Sequence, residues 1–257
     1  MSPSASKSPR IFLITGCSTG IGASLAQEVI DRGDIAVATA RKPSSLKFKD
    51  TTEQNFLPLP VDLYDRESIV AAFDAAVKAF GRVDAFINNA DGTRKAMEVM
   101  RAQSPPGGAI MQVTSIGGLI GFPLMSMYSA SKFAVEGLTE AIAQEVKPEW
   151  NIHFTCVEPG GFRTDFFHRS MTYTDQPHPA YDHVDLRATM KQMADVQMGD
   201  PAKGARAIYE AAVLSKPPSR LLLGTDAYNW YNSKLESWAG DAKENEHISL
   251  STDVDAA

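Results

Sequence analysis

At 257 residues the chain is long enough for one α/β domain, and no obvious repeat or low-complexity segment divides it. Its formal net charge of −6 argues against nucleic acid as a partner and gives no reason to expect binding to an anionic membrane surface. A small molecule is therefore the expected ligand.

The sequence also lacks the signals for export and membrane insertion. No apolar run reaches the roughly 18 residues of a membrane-spanning helix, and residues 1–10 lack the apolar core of a secretory signal. The two cysteines, Cys17 and Cys156, are too few for a disulfide framework and have no metal-ligand spacing. We therefore expect a cytoplasmic protein with no integral membrane segment and no metal site.

Short apolar runs alternate with amphipathic segments along most of the chain. Strands are predicted at residues 11–14, 35–40, 57–61, 83–87, 109–113, 152–157 and 220–224. Helices are predicted at residues 23–32, 65–80, 92–103, 201–214 and 226–238, with a further helix that ends at residue 145. Residues 165–199 lack clear periodicity, as lids often do. We expect a disordered tail at residues 1–9, one domain at 10–239 and a flexible acidic tail at 240–257.

A glycine-rich turn follows the first predicted strand. It reads Thr-Gly-Cys-Ser-Thr-Gly-Ile-Gly over residues 15–22 and leads directly into a helix. A strand, a glycine-rich turn and a helix N-terminus together form the arrangement that receives a pyrophosphate on backbone N–H groups.

A second motif combines a phenol with an amine. Tyr128 and Lys132 are four residues apart, which places them on one face of a helix. A fixed ammonium group stabilises a phenolate, so we expect Lys132 to lower the pKa of Tyr128 and make it an acid or base. Ser115 follows an apolar strand, where its hydroxyl is placed to hold a carbonyl oxygen beside the phenol. Taken alone, the Tyr-Lys pair is much more typical of an exposed amphipathic helix.

Together these motifs resemble the classical short-chain dehydrogenase/reductase family, whose patterns are Thr-Gly-x-x-x-Gly-x-Gly and Ser followed by Tyr-x-x-x-Lys. The similarity extends from about residue 11 to 228, and the segments around Ser115 and Tyr128 are most similar to the hydroxysteroid and retinol dehydrogenase branch. The resemblance implies a single-domain Rossmann fold with a doubly wound parallel sheet. It implies that Ser115, Tyr128 and Lys132 are catalytic and that Tyr128 and Lys132 also bind the cofactor.

The resemblance also implies which residues bind the cofactor. They are Gly16, Ser18, Gly20, Ile21 and Gly22 in the turn, Asp62 at the adenine, Asn89 beside the cofactor, and Phe162 and Thr164 at the carboxamide end. NAD-using members often carry an acidic residue after the second strand, whereas this chain has Ala40, Arg41 and Lys42 there. A neutral residue followed by cations suits a 2′-phosphate, so we expect NADP(H) to be favoured over NAD(H). The alternative is that this Arg-Lys pair only solvates a loop.

One segment departs from the family. Asp91 stands where the Asn-Asn-Ala-Gly motif has glycine, and the distance from Asn88 to Ser115 is much shorter than usual. The missing piece includes the family's catalytic asparagine and half of a helix commonly used in assembly. The remaining residues 92–103 keep an amphipathic pattern and are long enough for a parallel crossover.

The expected function is NADP(H)-dependent interconversion of a carbonyl and a secondary alcohol on a small, apolar substrate. Any homo-oligomer is expected to be weakened by the truncated helix. Two alternatives stay open: a shortened, weak or inactive protein that binds nucleotide or a protein partner, and an incorrect gene model or splice form.

Overall fold

The structure, a computed structural model, describes residues 8–88, 92–172 and 178–254. These residues form a seven-stranded, fully parallel sheet in the order 3-2-1-4-5-6-7. The strands are β1 (Ile11–Ile14), β2 (Ile35–Ala40), β3 (Phe56–Pro60), β4 (Ala85–Asn88), β5 (Gly108–Val113), β6 (Ile152–Pro159) and β7 (Arg220–Leu223). The strand order reverses direction between β1 and β4, as in a doubly wound fold. The Rossmann-like architecture predicted from the sequence is confirmed.

Helices pack on both faces of the sheet. They are α1 (Gly20–Asp31), α2 (Arg66–Phe80), α3 (Thr93–Ala102), α4 (Ser126–Glu145), α5 (Leu186–Asp195), α6 (Pro201–Ala212), α7 (Thr225–Glu244) and α8 (Glu246–Leu250). Side chains alternate along each strand, so Phe12 and Ile14 join the core under α1 and α6 while Leu13 joins the core under α2 and α3. None of the helices in these residues is long and apolar enough to cross a membrane.

The crossover from β4 to β5 is short, yet its helix packs on the sheet. Helix α3 begins soon after β4 ends and buries Thr93, Ala96 and Met100, as its amphipathic pattern predicts. The Gln112 side chain on β5 donates to Thr93 Oγ1 at 2.6 Å and accepts from Asn88 Nδ2 at 3.2 Å. A buried polar link therefore connects the end of β4, the start of α3 and the end of β5.

Replacing Gln112 tests this link. We expect Gln112→Met to lower the free energy of unfolding by about 1–3 kcal/mol, because Asn88 and Thr93 each lose a buried hydrogen-bonding partner. Urea denaturation at constant m-value measures the change. The exposed Gln144→Met on α4 is the control and should change stability little. Equal effects of the two substitutions would contradict a structural role for the link.

The structure differs from the sequence-based expectation at three places. Residues 165–199 contain helix α5 and one turn of π-helix at Phe166–Ser170. Helix α7 continues past Gly240 to Glu244 and α8 follows, where a frayed tail was expected, because their exposed turns are held by local backbone hydrogen bonds. The amphipathic pattern of residues 92–103 also predicts Lys95 on the outer, exposed side of its helix, whereas its side chain is largely buried and pairs with Asp74 at 3.0 Å.

Candidate active site

The glycine-rich turn has the backbone shape that a dinucleotide requires. Gly16 and Gly20 have φ angles of +70° and +63°, in the left-handed region that favours glycine. A Cβ on Gly22 would lie 2.5 Å from the Gly16 carbonyl oxygen, so a side chain there would break the turn. The N-cap Thr19 makes no side-chain cap hydrogen bond, and no acidic residue lies in the first turn of α1. The N–H groups at this helix start therefore fit an anion such as a pyrophosphate.

The end of β2 lies beside this turn. The Cys17 backbone N–H donates to the Thr39 carbonyl at 2.9 Å, which brings the turn against the last residues of the strand. Arg41 and Lys42 follow the strand and are both exposed, and neither forms an ion pair with any residue that the structure describes. Asp62 is also exposed, and its carboxylate accepts from the Tyr64 backbone N–H at 3.1 Å.

Ser115, Tyr128 and Lys132 meet at the carboxyl end of β5. The Ser115 hydroxyl accepts from the Gly117 N–H at 3.0 Å, and its oxygen lies 3.4 Å from the Pro159 carbonyl oxygen. A Cβ on Gly117 would lie 3.1 Å from Tyr128 Cε1 and 3.4 Å from Ser115 Oγ, so glycine allows the phenol and the hydroxyl to adjoin. The two side chains that the sequence predicted to act together are thus neighbours.

The Lys132 side chain is held close to the ring of the phenol. Its Nζ donates to the Val113 carbonyl at 3.1 Å and is 5.9 Å from the centroid of the Tyr128 ring. Burial lowers the pKa of Lys132, and the charge of Glu136 opposes that change.

The expectation that Lys132 lowers the pKa of Tyr128 is therefore wrong for this structure. Burial raises the pKa of Tyr128, and the opposing effect comes from a hydrogen bond with Ser115. The reason is desolvation: the phenolate would be taken out of water while the lysine ammonium is held by a backbone carbonyl. A raised pKa keeps the phenol protonated at neutral pH, which suits a proton donor.

A cavity of about 900 Å³ opens in front of Ser115 and Tyr128. Its wall is mainly apolar and includes Phe122, Met125 and Phe166. The Phe122 ring packs edge-on against Trp230 of α7, with centroids 5.2 Å apart. This volume lies in the range of small-molecule sites, about 300–1,000 Å³.

The segment after β6 forms the side of the cavity nearest the glycine turn. A Cβ on Gly20 would lie 3.3 Å from Thr164 Cγ2, so these two predicted cofactor residues adjoin. The Phe162 side chain is buried, and it lies against Gly199 and Gly204, so the ring itself belongs to the core. Asn89, the remaining predicted cofactor residue, lies outside the described residues.

Sequence reasoning missed two residues of this site. Asp226 accepts from the Gly161 N–H at 2.7 Å and fixes the loop after β6, and Trp230 closes the cavity wall. For Trp230 the sequence did offer a signal, namely an aromatic residue near the start of the predicted helix at residues 226–238. No local pattern pointed to Asp226, because its partner is 65 positions away in sequence. Among the described residues, no group of three or more His, Cys, Asp or Glu side chains is arranged to hold a metal.

Comparison with known proteins decides which family this site belongs to. A family model described as short chain dehydrogenase matches residues 10–102 and, in a second stretch, residues 91–174. The uncharacterized oxidoreductase C162.03 of Schizosaccharomyces pombe is 33% identical over 271 aligned residues, covering 94% of this chain and 90% of that protein. Oxidoreductase calM of Penicillium decumbens is 36% identical over 265 residues, with coverages of 88% and 87%.

The chain belongs to the short-chain dehydrogenase family. As a member of this family the protein is an oxidoreductase, and the family resemblance inferred from the glycine and Tyr-x-x-x-Lys motifs is confirmed. A short-chain dehydrogenase from Streptomyces avermitilis has a similar structure, with a TM-score of 0.79, 31% identity and coverage of 96% of this chain and 100% of that one.

Two further short-chain dehydrogenase structures share the fold. One, from Burkholderia phymatum in complex with NAD, has a TM-score of 0.69 at 18% identity and covers 97% of this chain and 98% of that one. The other, from Burkholderia cenocepacia in complex with NADP, has a TM-score of 0.64 at 22% identity and covers 92% and 97%.

Proposed function

We propose that this short-chain dehydrogenase interconverts a carbonyl and a secondary alcohol with NADP(H) as cofactor. The observation that carries the proposal is the Tyr128 phenol beside the Ser115 hydroxyl, at the mouth of an apolar cavity that also contains the loop after β6 and Ile21 of α1. The proton donor, the hydroxyl that would bind the carbonyl and the turn that would bind the dinucleotide therefore all lie beside the same cavity.

Each polar side chain has a distinct role in the reductive direction. Ser115 hydrogen-bonds the carbonyl oxygen and polarises the bond. Tyr128 gives its phenolic proton to that oxygen as the carbon accepts hydride, so the C=O double bond becomes an alcohol. Lys132 supplies positive charge near the phenol and, by analogy with the family, would bind the nicotinamide ribose. A nicotinamide cofactor held at this site would supply the hydride and would itself be oxidised.

The preference for NADP(H) rests on the end of β2. Ala40 carries no carboxylate, so nothing at that position would repel a 2′-phosphate, and the exposed Arg41 is available to pair with it. Structures of relatives with either NAD or NADP bound support a nicotinamide cofactor without separating the two.

Replacing Arg41 tests the preference. We expect Arg41→Ala to weaken NADPH binding about tenfold or more, because a charge-assisted hydrogen bond to phosphate is lost, and to change NADH binding by less than about threefold. Fluorescence titration with both cofactors measures this. Lys47→Ala, an exposed cation from the same loop, is the control. Equal weakening of both cofactors by Arg41→Ala would contradict phosphate recognition.

The substrate we infer is small and mainly apolar. Phe122, Met125 and Phe166 offer contact area to a hydrocarbon body, while Ser115 and Tyr128 supply the polar groups for one oxygen. Phe166 also packs against the Tyr128 ring, with centroids 5.4 Å apart, so the substrate body would lie next to the proton donor.

We further propose that the chain lacks a segment after β4 that its relatives have. Two alignments, over 271 and 265 positions, are longer than this chain of 257 residues, so the relatives have residues without a counterpart here. The early start of α3 supports placing the gap there. Because Ser115, Tyr128 and Lys132 still assemble, we expect slower catalysis and not its loss.

The decisive experiment is a titration with NADPH and NADH, followed by both cofactor fluorescence and thermal unfolding. A ligand that binds the native state must raise the melting temperature by mass action. We expect a shift with NADPH that exceeds the shift with NADH, followed by carbonyl reduction in a substrate screen. No shift with either cofactor would overturn the proposal and favour an inactive protein.

A further inference from the structure

A buried group of charges lies directly behind the active site. Glu136 of α4 and Glu158 of β6 have side chains that are 5% and 0% exposed, and both contact Arg220 of β7. Arg220 Nη1 donates to Glu136 Oε2 at 2.8 Å and also to Glu158 Oε1. Glu158 Oε2 has no hydrogen-bonding partner among the described residues. One cation thus faces two buried carboxyl groups.

This charge imbalance favours a proton held between the two carboxyl groups. Burial, reinforced by the charge of Glu136, raises the pKa of Glu158 to about 7 although Arg220 opposes the change. The hydrogen bonds of Thr114 agree with a carboxyl proton. Its Oγ1 lies within hydrogen-bonding distance of Glu136 Oε1 and of the Val157 carbonyl, and a single hydroxyl proton serves only one of them.

The charged group is connected to the catalytic residues by helix α4. Tyr128, Lys132 and Glu136 follow one another at intervals of one helical turn, all on the inner side of the helix. A Cβ on Gly118 would lie 2.9 Å from Glu136 Cγ and 3.2 Å from the Lys132 carbonyl, so the loop after Ser115 packs directly on this segment. The negative charge of Glu136 raises the pKa of Lys132 against the effect of burial.

We propose that Glu136 and Glu158 share one proton held near Arg220 and, as positioning residues, set the pH at which Lys132 loses its charge. The proposal rests on the proposed function only for its effect on turnover. The other groups that face the pair are Glu140 of α4, an exposed carboxylate 3.6 Å from Arg220, and the neutral thiol of Cys156 on β6. Above neutral pH the pair gains a second negative charge, which stabilises the protonated lysine.

The test compares two substitutions that remove the same formal charge. Glu158→Gln keeps the shape of the buried side chain and removes its ionisation, whereas Glu140→Gln removes an exposed carboxylate beside the same arginine. The ionisation of Lys132 is followed by NMR of protein labelled with carbon-13 lysine, the signal being assigned with Lys132→Arg. We expect the Lys132 midpoint to fall by about 0.5–1 pH unit in Glu158→Gln and to stay unchanged in Glu140→Gln.

These outcomes separate the inference from the proposed function. An unchanged Lys132 midpoint in Glu158→Gln, or an equal fall in Glu140→Gln, overturns the inference whether or not the protein turns over a substrate. A selective fall in a protein that reduces no carbonyl supports the inference and overturns the proposed function. In an active enzyme, the alkaline limb of kcat/KM should move with the Lys132 midpoint, whereas a merely structural role would lower activity equally at all pH values. If Glu158→Gln does not fold, Glu136→Gln provides the same comparison.

Discussion

Tyr128→Phe is expected to lower kcat for carbonyl reduction by about 10²–10⁴-fold while leaving NADPH affinity within about threefold of the original. The phenolic proton is the one that the developing alkoxide receives, and phenylalanine has none to give. Phenylalanine keeps the ring that packs against Phe166, so the cavity and the cofactor cradle keep their shape. Single-turnover kinetics with NADPH and a reducible ketone, together with a cofactor titration, measure the two quantities separately.

Tyr209→Phe is the matched control for this experiment. Tyr209 is a buried tyrosine whose hydroxyl donates to Asp34 Oδ2 at 2.7 Å, and it does not line the cavity. Loss of the Tyr209 hydroxyl should lower the free energy of unfolding and leave kcat unchanged. Full activity in Tyr128→Phe would refute the proton-donor role, and a loss of cofactor binding equal to the loss of turnover would show that the Tyr128 hydroxyl acts only in cofactor binding.

The pH dependence of reduction follows from the direction of the Tyr128 shift. Because burial raises the pKa of this phenol, it remains protonated through the neutral and mildly alkaline range, and its ability to donate is lost only when pH rises through the raised value. The acid form of the phenol is therefore available at neutral pH.

Much of the fold was predictable because the sheet is buried on both faces. Strands of this kind are short apolar runs between turns, so β1 and β2 match their predicted bounds at both ends. Helix α3 was also predictable, because its apolar spacing survives in the short crossover. Helix α5 was not, since residues 165–199 show no clear periodicity that would mark a buried face.

The candidate site likewise has parts that the sequence predicts and parts that it does not. The glycine turn and the Tyr128-Lys132 pair are local patterns, and the structure brings them to one edge of the sheet. The pKa of Tyr128 was predicted with the wrong sign, because sequence spacing places a cation nearby and says nothing of how deeply the phenol is buried. The contacts of Arg220 join residues 62 and 84 positions apart, and no local period predicts them. A lone glutamate inside the apolar strand β6 was the available signal.

Arg220→Met is expected to destabilise the protein by about 3 kcal/mol at pH 8 and by much less at pH 5. Removing the cation leaves two buried carboxyl groups without their partner, and breaking a buried ion pair in this way typically costs about 3–5 kcal/mol. The partial exposure of Arg220 favours the lower end of that range. Urea denaturation across this pH range measures the difference.

The sign of the pH trend follows from the direction of the Glu158 shift. In the folded protein the pKa of Glu158 is raised to about 7 from an ordinary value of 4.5. The protonated Glu158 therefore contributes fully to the free energy of unfolding at low pH, and this contribution is lost as pH rises toward 7. Without Arg220, which acts to lower that pKa, the folded-state value rises further and the loss continues to higher pH. The gap between the original protein and Arg220→Met should therefore widen with pH.

Two further variants distinguish this mechanism from a general loss of packing. Arg32→Met removes an arginine that pairs with Glu28 at 2.9 Å on the helix surface, and it should cost less than about 1 kcal/mol without a pH trend. Adding Glu158→Gln to Arg220→Met removes one of the two buried carboxyl groups that have lost their cation, so the double variant should be more stable than Arg220→Met alone at pH 8. If Arg220→Met costs the same at pH 5 and pH 8, the arginine serves packing, and the buried carboxyl pair does not depend on its charge.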